Sequence, residues 1–293
     1  MDTSELLKKV RKIEIKTRGL SRHIFAGEYH SAFKGRGMAF SEVREYQIGD
    51  DVRTIDWNVT ARYNHPYIKI FEEERELTVM LLIDVSGSRE FGTGYQLKKN
   101  LITEIAAVLS FSAIQNNDKI GVILHSDKLE KFIPPQKGTK HTLRIIRELI
   151  EFQPESPGTH LSGGLRYLTN AIKKRCTAFV ISDFMDFDKA GNPAFENALK
   201  IAQNKHDIAA LKIFDQRETE LPPAGFVKLK DAESGKEIWI DTSSKKNREA
   251  YHNWWKKFSA KTKDIFRKTG TDYTSIQTDE DYVKPLIRLF EMR

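Results

Sequence analysis

The sequence predicts an α/β fold, a mainly parallel sheet with helices on both faces, extended by an N-terminal lobe of loops and short strands and by a C-terminal hairpin and helices. Three observations carry this expectation. From Leu77 onward short apolar runs alternate with amphipathic segments, the rhythm of βαβ units. The run LTVMLLID at 77–84 is apolar throughout and too short for a helix, as a central strand covered on both faces would be. With 39% hydrophobic and 30% charged residues over 293 positions, the chain can bury a large core beneath a charged surface, which excludes disorder and collagen-like architecture.

The elements follow in order. Residues 3–17 set Leu6, Val10 and Ile13 on one side at helical spacing, with Ser4 available as a cap, and predict a short amphipathic helix. From Gly19 to Glu76 periodicity breaks up among Gly27, Gly35, Gly37, Gly49 and Pro66, and only YIKIF at 67–71 alternates as a strand would. Residues 1–76 therefore read as a lobe. After the 77–84 strand comes a helix with Leu97, Leu101, Ile105, Val108 and Ser112 on its inner face, then strand KIGVILHS at 119–126 and a shorter strand near 129–133. A helix aligning Thr142, Ile145, Ile146, Leu149 and Ile150 leads to a Pro/Gly loop at 154–164 and a helix over 165–174. Strand CTAFVISD at 176–183, a helix marked by Phe195, Ala198, Leu199 and Ala202, and strand DIAALKIF at 207–214 complete an α/β region spanning 77–225. In 226–293, FVKLKDAESGKEIWIDT alternates on both sides of a Glu-Ser-Gly turn and predicts a hairpin. A helix over 245–269 aligning Tyr251, Trp254, Trp255, Phe258, Thr262, Ile265 and Phe266, a strand at 272–276 and a helix with Val283, Leu286, Ile287 and Phe290 close the chain, packed on the same domain.

The formal charge of +7 is spread along the chain and names no nucleic-acid surface. The single cysteine, Cys176, can form no internal disulfide and no Cys-rich zinc site, which points to a reducing compartment. The first twenty residues are charged and lack the apolar stretch of a signal peptide, and no apolar run approaches the roughly 18 residues of a membrane helix. The expectation is a soluble, cytoplasmic protein.

In open α/β sheets ligands sit beyond the carboxyl ends of the strands. There DVSGS presents Asp84, Ser86 and Ser88 two residues apart, PGTHLSGG presents Thr159, and the strand ending at Ser182 delivers Asp183. Two carboxylates and three hydroxyls at one sheet edge form a hard oxygen set of low charge, suited to Mg²⁺ or Mn²⁺ with water completing the shell. An ion held that way stays electrophilic and gains from a carboxylate supplied by a partner. Taken singly, the same residues could instead cap helices and turns.

The set DVSGS, Thr159 and Asp183 resembles the metal-ion-dependent adhesion site of von Willebrand factor A domains, over about 77–215. Upstream, GRGMAFSEVREYQIGDDVRTIDWNVTAR (35–62) and EEERE (72–76), with ELPPAGFVKLKDAESGKEIWIDT downstream, are similar to the domain of unknown function 58 family. The resemblance implies that Asp84, Ser86, Ser88, Thr159 and Asp183 gather the ion directly or through water. It also implies a protein-binding, non-enzymatic module partnered with a MoxR-type AAA+ ATPase in chaperone-like remodelling or complex maturation. Arg89 departs from the pattern, standing where an apolar residue is common; a cation there would either weaken the ion or hold an acidic partner.

Other candidates weigh less. The cluster Arg44, Glu45, Asp50, Asp51, Arg53, Asp56 and Trp57 reads better as ionic pinning of loops than as a docking surface. Lysines beside Trp254, Trp255 and Phe258 read as the solvated side of a core helix rather than a base-stacking surface. The eight histidines show no ligand spacing, and no Walker A or GxSxG motif is present. The strongest enzymatic alternative is a Mg²⁺-dependent phosphohydrolase with Asp84 as nucleophile, but the general acid expected two residues on is Ser86.

Overall fold

The computed structural model describes residues 3–20, 39–72, 77–94, 96–188, 190–233 and 235–293. The sequence motifs at 35–38 and 73–76, Gly27, and the side chains of Ser4 and Leu6 lie outside what is described. The chain forms two compact units, Lys34–Leu77 and a larger one of Met1–Phe33 with Thr78–Arg293. Helix α1 (Thr3–Leu20) belongs with the larger unit, because Val10 joins Ala107, Phe111 and Ile146 in an apolar cluster and Lys16 pairs with Glu104 at 2.5 Å.

In the smaller unit, β1 (Ala39–Glu45) pairs antiparallel with β2 (Tyr67–Glu72), and α2 (Trp57–Tyr63) lies between them in sequence. The charged cluster pins this unit's loops. Arg44 forks Asp50 with two hydrogen bonds of 2.8 Å, Asp51 caps the turn at Val52–Thr54, and Asp56 caps α2 by accepting from Asn58 N and Val59 N.

The larger unit is built on a six-stranded sheet ordered β10-β7-β6-β3-β4-β5. In chain order it runs β3 (Thr78–Asp84), α3 (Lys98–Gln115), β4 (Lys119–His125), β5 (Leu129–Gln136), α4 (Thr139–Glu151) and α5 (Leu161–Ala171). It continues with β6 (Thr177–Ser182), α6 (Glu196–Lys205), β7 (Asp207–Phe214) and the one-turn α7 (Gln216–Thr219). The chain ends with β8 (Phe226–Lys230), β9 (Glu237–Asp241), α8 (Lys245–Thr269), β10 (Asp272–Gln277) and α9 (Val283–Glu291). All pairs in the sheet are parallel except β4 with β5. Strand β5 runs on through Pro134 and Pro135, which a strand tolerates at a sheet edge where no ladder donor is required.

Strand alternation divides the core. Met80, Leu82, Ala178, Val180, Ile208 and Ala210 face α5, α6 and α8, where Leu165, Leu199 and Phe266 meet them. On the opposite face Phe179 of β6 packs edge-on against Phe290 of α9, with centroids 6.2 Å apart. Helix α3 differs from its one-faced reading: it is buried around most of its circumference, because α1 and α4 cover the side turned from the sheet. Trp254 also leaves its expected place. It is 44% exposed and stacks on Phe258 from outside, while Trp255, Phe258, Ile265 and Phe266 are buried. Among the described residues no helix is long and apolar enough to cross a membrane.

Candidate metal centre

The chain builds the sheet outward from β3 in one direction, through β4 and β5, and then returns to lay β6, β7 and β10 on the other side. The boundary between β3 and β6 is therefore the topological switch point, where the connections part and leave a crevice at the carboxyl ends of the strands. Asp84 ends β3 and Asp183 follows β6, so both carboxylates stand at that crevice, and both are buried.

Local geometry holds them there. Asp84 Oδ1 accepts from Ser86 N at 2.9 Å and Oδ2 from Ser182 Oγ at 2.7 Å, which joins the ends of β3 and β6 through one carboxylate. The hydroxyls of Ser86 and Ser88 lie 3.1 Å apart, and Ser88 in turn hydrogen-bonds Asp183. Beyond Asp183 the backbone passes through the left-handed region at Phe184, with φ 61°. That conformation is costly for a bulky residue. It is held by Phe184 N donating to Ser182 Oγ at 2.9 Å and by its ring packing against Phe195 and Phe266. The turn also lets Met185 N donate to Asp183 Oδ1 at 3.1 Å.

Lys98, at the start of α3, donates to Asp183 Oδ2 at 3.1 Å and to Glu218 of α7, and its side chain is only 2% exposed. Burial alone would raise the Asp183 carboxyl, but the Lys98 charge and the hydrogen bonds from Ser88, Met185 and Lys98 outweigh it and hold it below the usual carboxylate range. Burial would likewise lower the Lys98 ammonium, and the charges of Asp183 and Glu218 overcome that and raise it. Glu218 is positioned by a capping box, its carboxylate also accepting from Asp215 N at 2.9 Å while Asp215 accepts from Arg217 N.

Thr159 reaches the crevice from the loop before α5. Gly87 N donates to Pro157 O at 2.8 Å, which lays that loop against DVSGS. Asp186 fixes its far end by accepting from Leu161 N at 2.9 Å. The Thr159 hydroxyl donates at 2.5 Å to Oε1 of Glu233, from the turn between β8 and β9. Burial pushes the Glu233 carboxyl up to about 7; the Thr159 bond opposes this, and the charges of Asp183, Asp84 and Asp231 add to it. The structure thus links Asp84, Ser86, Ser88 and Asp183 in one hydrogen-bonded chain and brings Thr159 alongside through its loop. Arg89 is anchored rather than offered to a partner: it is buried, donates to Phe152 O at 2.5 Å, and lies 5.8 Å from the Phe152 ring.

Among the described residues no group of three or more His, Cys, Asp or Glu could hold an ion, so a cation at this crevice must rely on hydroxyl oxygens. The donor set suits that. Adjacent ligands of an octahedral Mg²⁺ with bonds of about 2.1 Å stand about 3.0 Å apart, and the Ser86 and Ser88 oxygens are 3.1 Å apart. Lys98 is the competing feature, since it already gives Asp183 a cation. Lys98, Ser182, Glu218 and Glu233 escaped the sequence reading. Of these Glu218 had a readable signal, the D-x-x-E capping box directly after β7; the others arrive by tertiary approach alone.

A model of the family described as protein of unknown function DUF58 matches residues 42–261. An uncharacterized protein of Mycobacterium tuberculosis, Rv1480, is 29% identical over 299 residues, covering 100% of this chain and 91% of its own length. The uncharacterized protein YeaD of Bacillus subtilis is 28% identical over 109 residues, 37% of this chain and 25% of its own. Among solved structures, an aerotolerance-related membrane protein from Bacteroides fragilis shares the fold with a TM-score of 0.51 and 15% identity, over 74% of this chain and 100% of that one. With strand order, antiparallel edge strand and family match in agreement, the chain belongs to the DUF58 family and carries a von Willebrand A-like α/β fold.

Proposed function

We propose that this chain is a metal-dependent protein-binding module. Asp84, Ser86, Ser88, Thr159 and Asp183 would hold Mg²⁺ or Mn²⁺, directly or through water, and an acidic residue of a partner would complete the ion's shell. The observation that carries the reading is the Ser86–Ser88 hydroxyl pair, 3.1 Å apart, at a crevice where the Ser86 backbone N–H binds buried Asp84 on one side of the switch point and Ser88 stabilises buried Asp183 on the other. A bound ion would supply an electrophilic centre, and the chain's residues would fix its position and leave its charge under-compensated, so that an incoming anion would be attracted. The family resemblance adds the partner class, a MoxR-type AAA+ ATPase, and with it a role in protein remodelling or complex maturation.

An aspartyl-phosphate reaction at Asp84 is less well served. Both oxygens of Asp84 already accept hydrogen bonds, from Ser86 N and Ser182 Oγ, which suits an anchored ligand better than a nucleophile. Turnover of a generic phosphoester that is lost in Asp84→Asn would favour the enzymatic reading instead.

The test is affinity capture from the source lysate with wild type and Asp84→Ala, each in Mg²⁺ or EDTA, with retained proteins identified by mass spectrometry. An AAA+ ATPase retained by wild type in Mg²⁺ alone is the expected result. Full-strength retention by Asp84→Ala in EDTA would remove the metal mechanism.

A further inference from the structure

The hairpin β8–β9 is a two-stranded ribbon that, among the described residues, pairs with no other strand. Phe226 at 75% and Trp239 at 69% are largely exposed while Val227, Leu229 and Ile240 are half-buried, so only one side of the ribbon is partly covered. Isolated ribbons of this size are marginal. Its turn is nevertheless well formed: Asp231 N donates to Lys236 O at 2.8 Å, Gly235 N to Asp231 O at 2.9 Å, and Gly235 takes φ +68°, which a residue with a side chain would adopt only under strain.

This turn lands on the metal centre at two points. The Ala232 carbonyl oxygen comes within 2.4 Å of where a Cβ on Gly87 would stand, an approach that only glycine at the centre of DVSGS permits. One residue on, the Glu233 carboxylate takes the Thr159 hydroxyl at 2.5 Å. A carboxylate is thereby held on the hydroxyl of a candidate ion ligand, from a turn whose preceding residue lies against the loop that follows Asp84.

From this geometry we propose that Glu233 is an internal stand-in for the partner's acidic residue, occupying the position that residue would take at the ion, so that a partner must lift the hairpin turn to bind. The proposal rests on the metal-dependent reading above and adds to it a built-in competitor. A tethered carboxylate has a high effective concentration, so it holds the site against free anions and yields only to a partner with further contacts to offer.

The probes are Mn²⁺ and acetate on the full chain, comparing wild type, Glu233→Ala and Glu233→Gln. Electron paramagnetic resonance of free Mn²⁺ reports occupancy, and relaxation of the acetate methyl protons reports whether a carboxylate reaches the bound ion. Acetate relaxation per bound Mn²⁺ is expected to rise about tenfold in both variants, as removal of a tethered competitor should produce. Equal relaxation in all three proteins with Mn²⁺ bound would overturn the proposal and leave the metal reading standing. Abolished Mn²⁺ binding in both variants, rather than the modest weakening that loss of one nearby negative charge brings, would make Glu233 an obligatory ligand and overturn it as well. No Mn²⁺ on wild type would remove the metal reading, and the proposal with it.

Discussion

Lys98→Met probes how charge is balanced at the crevice. In wild type one ammonium serves two carboxylates, with side-chain exposures of 2% for Lys98, 2% for Asp183 and 12% for Glu218. Methionine keeps the apolar stem but leaves Asp183 and Glu218 facing each other without the ammonium that pairs them, only the charge of buried Lys212 still reaching both. Breaking one partner from a buried pair costs about 3–5 kcal/mol. Asp183 keeps its hydrogen bonds from Ser88 and Met185, which places the expected loss near the lower end, about 3 kcal/mol. At roughly 2–4 °C per kcal/mol for a domain of this size, the melting temperature in EDTA should fall by roughly 6–12 °C. The same substitution removes the cation competing with a divalent ion, so Mn²⁺ should bind Lys98→Met at least about tenfold more tightly than wild type. Added Mn²⁺ should then restore part of the lost stability, because it binds only the folded state. Thermal unfolding followed by circular dichroism, in EDTA and in Mn²⁺, measures both effects. A wild-type midpoint in EDTA would refute the electrostatic account of the triad, and weaker Mn²⁺ binding by the variant would refute the competition.

Two further perturbations test the scaffold. His206 is fully buried, with Nδ1 3.3 Å from Cys176 Sγ, and burial together with Lys205 and Arg175 pushes its imidazole down to about 4. Because the folded value lies below the unfolded one of about 6.5, the unfolded chain takes up the proton first. The contribution is therefore full above that pH and is lost as the pH falls toward 4, by about 2 kcal/mol between pH 7 and pH 5. His206→Gln should flatten that part of the stability–pH curve, and urea midpoints that fall in parallel with wild type would count against it. In Gly121→Ala the new methyl group would meet Met80 Sδ at 2.8 Å, Ile133 O at 2.9 Å and Pro135 N at 2.9 Å. Two of these are backbone atoms of the edge strand, so overpacking should cost about 1–3 kcal/mol and lower the thermal midpoint; an unchanged midpoint would show that β5 can move aside.

The sheet was legible because its central strands lie between two helical layers. Residues 79–83 of β3, 177–182 of β6 and 208–213 of β7 are buried on both faces, and that environment writes a continuous apolar run into the sequence. Helices are harder to read when their surroundings are not local. The Leu101–Ile105–Val108 stripe on α3 was visible, but the burial of Ile102, Thr103 and Phe111 depends on α1 and α4 arriving on the outer side. The membership of α1 follows from the same contact: the Val10–Ile13 side is legible as an apolar face, but which element covers it is known only once Phe111 and Ile146 are beside it. Trp254 fits the helical spacing of Trp255 and Phe258, yet spacing fixes only a direction around the axis, and the neighbouring elements decide how wide an arc is covered.

The candidate site divides in the same way. Asp84 and Asp183 could be found because the ends of parallel strands are set by the fold, and a residue that follows a legible strand has a known place. Lys98 sits in the first turn of a helix, where a lysine ordinarily faces water, and nothing in its neighbours announces that Asp183 and Glu218 will close over it. Glu233 lies in a polar turn that any hairpin might carry, and its meaning comes only from Gly87 and Thr159, 146 and 74 positions away in the chain. These two unread residues have opposite charge and act on opposite sides of the proposed ion's balance. Lys98 supplies positive charge to Asp183 and so weakens the hold on a divalent ion, while Glu233 supplies negative charge near Thr159 and strengthens it. The hydroxyls and carboxylates of the motif determine where an ion would sit; how tightly it is held, and whether a partner's carboxylate can reach it, rests on this second pair. Substituting either residue alone should therefore shift metal affinity in opposite directions, and the double variant Lys98→Met with Glu233→Ala should fall between them, a separation that a purely structural role for either residue would not produce.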